Sequence, residues 1–192
     1  MKIEYEATFI NINKDEIRSR LGKIGAELIK PEILMKRVTF NMPKGHELEE
    51  SWVRVRDEGD KITSSIKSVI NGDIESQKEA MIAVDDFENA SHFLEILGCT
   101  KKSYQETKRE IWKKGEVDIC IDEWPFLEPF VEIEGHSEKS VKNISEQLGF
   151  EYKNALFCGV GHIYEMKYGI KEEIVNQKTP LITFEMQNPF IS

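Results

Sequence analysis

Eight stretches of this chain alternate in the manner of β-strands, near residues 2–10, 33–41, 50–57, 61–70, 74–84, 104–114, 116–122 and 129–135. Turn chemistry separates several of them, as in "DEGD" (57–60), "NGD" (71–73) and "KKGE" (113–116). Such short connections suit antiparallel hairpins. Eight hairpin-linked strands predict an antiparallel sheet, which can curl into a barrel and so remove its edges.

The alternation also sorts chemistry by face, because residues two apart in a strand point the same way. "FVEIEG" sets Glu132 and Glu134 against Val131 and Ile133, and "IEYEATF" places Glu4 and Glu6 together. "SWVRVRDE" puts Arg54 and Arg56 on one face with Trp52, opposite Val53 and Val55. Thr63, Ser65 and Lys67 oppose Ile62 and Ile66, while Asp118, Cys120 and Asp122 oppose Val117, Ile119 and Ile121. An open sheet would turn its charged faces to water. A closed barrel would turn them inward, where desolvated charges must pair with one another or meet a ligand.

Four helices are expected. One begins near Asn13 as its cap, with Glu16 three residues on, and carries Ile17, Leu21 and Ile24 at helical spacing. The second aligns Phe87, Phe93, Leu94 and Leu97; the third aligns Val141, Ile144 and Leu148. All three end at or near a Leu-Gly pair, where glycine supplies a left-handed C-terminal cap. "GVGHIYEMKYG" reads as the fourth, with "GVG" at its boundary, and "PLITFEMQNPFIS" reads as an edge strand or a loop. The plan is one α+β domain over 1–170, with a C-terminal extension, 171–192, packed on it.

A formal net charge of -9 argues against wrapping duplex nucleic acid, which needs a broad cationic excess. No apolar run reaches the length of a membrane span, and the N-terminus lacks a signal-peptide layout. Three widely spaced cysteines, Cys99, Cys120 and Cys158, have no metal-ligand spacing and predict a reduced, cytoplasmic protein. His46, His92, His136 and His162 share no spacing and read as structural or exposed; Trp124 and Pro125 read as loop-shaping. A homodimer is compatible with the sequence.

Arg54, Arg56, Lys67 and Arg109 together suit phosphate oxygens, since arginine offers paired planar donors and lysine a point charge. Carboxylates beside them would repel a phosphate chain unless they held a divalent cation, and Mg²⁺ commonly bridges carboxylates to phosphates. The mixed lining therefore points to a metal–phosphate complex.

In their order along the chain, these motifs resemble the CYTH family, the triphosphate tunnel metalloenzymes. The opening "EYEAT" is similar to the family's Glu-x-Glu-x-Lys, "WVRVR" to its basic strand, "SSIKS" to its lysine strand, and "KEAMIAVDDF" and "ETKREIW" to the strands that follow. "DICIDEWPFLEPFVEIEG" resembles the closing segment of a bacterial subgroup. The resemblance spans roughly residues 3 to 170. It implies an eight-stranded antiparallel β-barrel, a tunnel open at both ends with helices packed outside. It also implies a triphosphate-containing ligand such as tripolyphosphate or ATP, with Mg²⁺ or Mn²⁺. Carried over, Arg54, Arg56, Lys67 and Arg109 bind phosphates. Glu4, Glu6, Asp122, Glu132 and Glu134 hold metal, and Glu4, Glu6, Lys67 and Glu79 serve catalysis. Two positions depart from the pattern: the family's lysine is Thr8 here, with Lys36 and Lys108 as candidate substitutes, and a position often acidic is Met81. The expected activity is triphosphate hydrolysis; the alternatives are an adenylate cyclase of the class IV type and a non-catalytic binder of polyphosphate or nucleotide.

Overall fold

The structure, a computed structural model, describes residues 1–70 and 72–191. Asn71, the first residue of the turn expected at 71–73, and Ser192 lie outside the described residues. The strands are β1 (Lys2–Ile3), β2 (Tyr5–Phe9), β3 (Glu27–Asn41), β4 (Ser51–Asp57), β5 (Ile62–Val69), β6 (Gln77–Val84), β7 (Thr100–Lys114), β8 (Val117–Glu123), β9 (Phe130–Gly135) and β10 (Leu181–Ile182). The helices are α1 (Lys14–Lys23), α2 (Phe87–Ile96), α3 (Glu138–Gln147), α4 (Val160–Tyr168) and α5 (Glu172–Lys178).

Pairing runs β1-β6-β5-β4-β3-β7-β8-β9-β2, every neighbour antiparallel. The two ends of this path, β1 and β2, are halves of one N-terminal stretch broken at Glu4. The sheet therefore returns on itself as a nearly closed barrel. The ring counts nine strands rather than eight because that stretch changes partner: Lys2 and Ile3 pair with β6, whereas Tyr5 to Phe9 pair with β9.

Alternation places apolar side chains outside, under helices. Ala7, Phe9, Ile119, Ile121, Val131 and Ile133 join Ile17 and Leu21 of α1 and Val141, Ile144 and Leu148 of α3 in one buried cluster. Val53, Val55, Val38 and Phe40 form a second with Phe87, Ala90 and Leu94 of α2. Asn13 caps α1 by accepting from the Asp15 and Glu16 amides, and Ser137 caps α3 in a reciprocal box with Ser140. Leu97-Gly98 and Leu148-Gly149 end α2 and α3 with glycine φ of 94° and 80°. In α1 the left-handed residue is Gly25 rather than Gly22, and the helix ends at Lys23, one residue past its Leu-Gly pair.

The tail adds the expected edge strand, preceded by a helix that was not expected. It forms α5, whose Val175 is buried with Tyr164 of α4, and then β10, which runs parallel to β7 at Tyr104–Gln105. The site is open to it because β8 covers β7 only from Lys108 onward. No helix among the described residues is long and apolar enough to cross a membrane.

Candidate active site

The inward-facing positions can be followed strand by strand: Glu4 and Glu6 from the N-terminal stretch, Arg37 from β3, Arg54 and Arg56 from β4, Lys67 from β5, Glu79 from β6, Arg109 from β7, and Glu132 and Glu134 from β9. All ten line one chamber of about 100 Å³. A wider cavity of about 330 Å³ shares Arg37, Trp52, Arg54, Val69, Trp124 and the Gly159–Val160 segment with it. α4 and α5 complete that outer cavity through Gly161, Asn176 and Gln177, so these two helices sit at a mouth of the barrel rather than on its flank.

The opposite charges are interleaved. Lys67 Nζ lies 3.0 Å from Glu4 Oε2 and 3.7 Å from Glu6 Oε2. Arg54 donates to Glu79 at 2.8 Å. Arg109 donates twice to Asp122, at 2.6 and 2.5 Å, and once to Glu132. Arg56 instead turns to Glu58 at the strand end, with bonds of 3.0 and 2.7 Å. Asp122 is fully buried beneath Arg109 and lines neither cavity. Glu134 stands exposed at the rim.

Arg37 is the principal residue that sequence reasoning missed. It is 7% exposed, donates to Thr107 Oγ1 at 2.9 Å, and stacks over the Trp124 ring at 4.6 Å. No carboxylate forms an ion pair with it among the described residues. Burial, with Arg54 and Arg56 nearby, pushes its pKa well below the usual arginine value. The available signal was the alternation of "RVTF", which sets Arg37 and Thr39 opposite Val38 and Phe40. A single arginine without a paired neighbour drew no weight. Trp124, expected to shape a loop, is a wall of both cavities. Thr8 is buried, bridges to Leu156 through the backbone and lines neither cavity. The two candidate substitutes for the family lysine are elsewhere: Lys36 is exposed, and Lys108 bonds Glu123 while lying over the Phe184 ring.

The chamber's carboxylates are strained electrostatically. Burial pushes Glu6 up to about 8 and Glu4 up to about 7, with neighbouring glutamates adding to the shift against the pull of Lys67. Glu6 lies opposite Glu134 across the β2–β9 ladder, a pairing of like charges. Burial works against the charge of Lys67, yet Glu6 and Glu4 outweigh it and hold the amine above its ordinary value. Glu79 is likewise buried, but Arg54 and a hydrogen bond with Glu4 draw it down to about 2.

The donor set suits a hard divalent cation, since several oxygen ligands crowd one face and a positive charge there would relieve their repulsion. Lys67 and Arg109 currently occupy that role, so a cation would have to draw Glu4, Glu6 and Glu132 off them. Among the described residues, the one group of three potential ligands drawn within 4.8 Å lies elsewhere, at His162, Glu165 and Glu172. Within the chamber wall, the Nε atoms of Arg37 and Arg54 and both amide atoms of Gln77 are buried without a protein partner. Such unsatisfied groups are costly unless a bound polar species meets them.

Solved structures resemble this barrel at low sequence identity. A Vibrio parahaemolyticus protein provisionally described as an adenylate cyclase superposes with a TM-score of 0.71 at 14% identity, covering 84% of this chain and 97% of its own. A Pyrococcus horikoshii protein, PH1012, gives 0.64 at 21% identity, covering 81% and 94%. A Hippeastrum protein, first taken for an adenylyl cyclase and described as having a dominant triphosphatase activity, gives 0.54 at 13%, covering 88% and 96%. Among curated proteins none matches the chain in sequence. Residues 3–159 match the CYTH domain, and the barrel with its charged lumen is therefore that of a member of the CYTH family.

Proposed function

We propose that this chain is a metal-dependent hydrolase of triphosphate-containing substrates. The observation that carries the reading is the convergence of five cations and five carboxylates, from seven strand segments, on one chamber. Arg37, Arg54, Lys67 and Arg109 would grip the phosphate chain, with Arg56 at its end. Glu4, Glu6, Glu132 and Glu134 would hold Mg²⁺ or Mn²⁺, and Asp122 would fix Arg109 from beneath. When bound, such an ion neutralises phosphate charge and polarises the scissile phosphorus–oxygen bond.

The chain's own residues have three tasks in this reading. The arginines hold the phosphates in line and neutralise charge as it builds on the leaving oxygen. Lys67, between Glu4 and Glu6, would supply a further positive charge to the phosphates. Glu79, kept ionised by Arg54 and outside the metal-holding set, would orient the attacking water. The outer cavity favours an organic triphosphate over an inorganic one: Trp52 and Trp124 offer flat walls, and Gln105, Asn176 and Gln177 offer amide donors and acceptors to an attached heterocycle. The free thiols of Cys99, Cys120 and Cys158 suit a reducing, cytoplasmic setting.

The test is phosphate release from tripolyphosphate and ATP with Mg²⁺ or Mn²⁺, in the wild type and in Arg54→Ala. Loss of about 100-fold in turnover, about 3 kcal/mol of transition-state stabilisation, is expected for the variant. Cyclic nucleotide as the product from ATP would replace hydrolysis with cyclisation. Tight binding without turnover would leave a binding protein.

A further inference from the structure

We propose that Gln77 is a specificity-determining residue. Its side-chain amide binds the substrate at the seam between the two cavities and selects triphosphate esters whose organic group carries a hydroxyl close to the phosphates, as a nucleoside triphosphate does. The inference rests on the triphosphate reading of the chamber and narrows it. Gln77 opens β6 and is 1% exposed, yet neither its Nε2 nor its Oε1 meets a protein partner. The residue lines the inner chamber. An amide buried with both ends unmet costs free energy that a leucine or methionine in its place would not.

Strand pairing fixes its place on the wall. Side chains two apart on β6 share a face, so Gln77 points inward with Glu79. The Glu4 amide donates to the Gln77 carbonyl at 2.9 Å, which holds this part of β6 beside Glu4. Across the β5–β6 ladder Glu79 stands opposite Lys67, which lines the inner chamber alone. Gln77 stands opposite Val69, which lines both cavities. Gln77 therefore sits where the chamber opens into the outer cavity. Arg37 and Arg54, whose Nε donors are also unmet, are walls of both cavities as well.

At this seam a chain of phosphates gives way to the group attached to it. Ionised phosphate oxygens only accept hydrogen bonds, and the guanidinium and ammonium donors of the chamber already suit them. An amide differs, because its nitrogen donates and its oxygen accepts. Inorganic tripolyphosphate would meet Nε2 but leave Oε1 against another acceptor. A phosphate ester with a nearby hydroxyl meets both, with a phosphate oxygen on Nε2 and the hydroxyl on Oε1. Gln77 carries the only amide side chain among the described residues that line the chamber. A buried group of this kind discriminates against a ligand that lacks its partner, since it is then left unmet.

Initial rates with Mg²⁺ are compared for ATP, for an ATP analogue lacking both ribose hydroxyls, and for tripolyphosphate, in the wild type and in Gln77→Met. Methionine keeps the length and removes both polar atoms; Gln77→Leu is the second variant should the first fold poorly. In either variant KM for ATP is expected to rise about tenfold or more with kcat little changed, while both constants for tripolyphosphate stay within about twofold. The analogue should bind less tightly than ATP to the wild type and equally to the variant, because the two losses remove one contact. Equal losses for ATP and tripolyphosphate, no loss for either, or a full further loss for the analogue in the variant each overturn the role of Gln77 and leave the hydrolase reading standing. Where the wild type binds without turnover, dissociation constants from calorimetry replace KM with the same expectations. A wild type that neither hydrolyses nor binds ATP or tripolyphosphate overturns the triphosphate reading, and the role of Gln77 with it.

Discussion

Arg37 shows how a single side chain reveals what the barrel is for. A buried guanidinium with no carboxylate partner and an orphaned Nε costs folding free energy, because a desolvated charge is repaid only by excellent partners. Replacing it with a neutral chain of similar length should relieve that cost. Arg37→Met is expected to raise the thermal midpoint by several degrees, about 1 kcal/mol or more, and to weaken tripolyphosphate binding at least tenfold, a trade of stability against function. Thermal melts and titration calorimetry on one protein sample would read both. A variant that melts lower, or that binds as tightly as the wild type, would show that Arg37 is structural. At this scale the sequence was informative wherever charges came in pairs. Glu4 with Glu6, Arg54 with Arg56 and Glu132 with Glu134 all face one chamber, as period-two alternation required. Lone inward residues such as Arg37 and Trp124 obey the same rule but stand out less, and the roles of Arg56 and Asp122 depended on partners, Glu58 and Arg109, that only three-dimensional proximity reveals.

Elements that depend on local signals were largely legible, and those that depend on a docking site were not. α1, α2 and α3 announce themselves through caps and apolar spacing, and their ends fall near the expected glycines. α5 is only seven residues long and buries little besides Val175, so its helical state owes more to the surface it covers than to its own sequence. β10 likewise exists because β7 has an unclaimed edge. The α4–α5 contact that shapes the outer cavity turns on Gly161. A Cβ there would sit 2.7 Å from Glu172 Cγ and 2.8 Å from the Asn176 amide atoms, too close without a shift. Gly161→Ala is therefore expected to push α5 outward at a cost of about 1–3 kcal/mol. Because Asn176 and Gln177 line the outer cavity, the same variant should lose preference for ATP over tripolyphosphate while keeping turnover of the latter. Ratios of kcat/KM for the two substrates test this, and an unchanged ratio would remove α5 from substrate selection.

For the whole molecule, barrel closure gathers repelling carboxylates into one poorly hydrated space, and that makes stability depend on pH in a definite direction. Glu6 and Glu4, at about 8 and about 7, are raised above their ordinary 4.5, so the folded state binds more protons than the unfolded chain throughout that interval. Stability then falls as pH rises from the unfolded value through the folded ones, and levels off above about 8. Glu79, drawn down to about 2, has the opposite sign, but its contribution is already complete above 4.5 and adds no slope in this range. In chelator, the thermal midpoint is expected to decline from about pH 5 to about pH 8. Mg²⁺ or Mn²⁺ should flatten the decline, because a cation binds the ionised carboxylates and stabilises the fold most where they are charged. Glu6→Gln should remove much of the slope in chelator and much of the metal's effect together. A decline that persists unchanged with metal, while Glu6→Gln still abolishes it, would separate the two claims: the carboxylates would be strained as described, and the ion would bind elsewhere, with the His162, Glu165 and Glu172 cluster the next place to look.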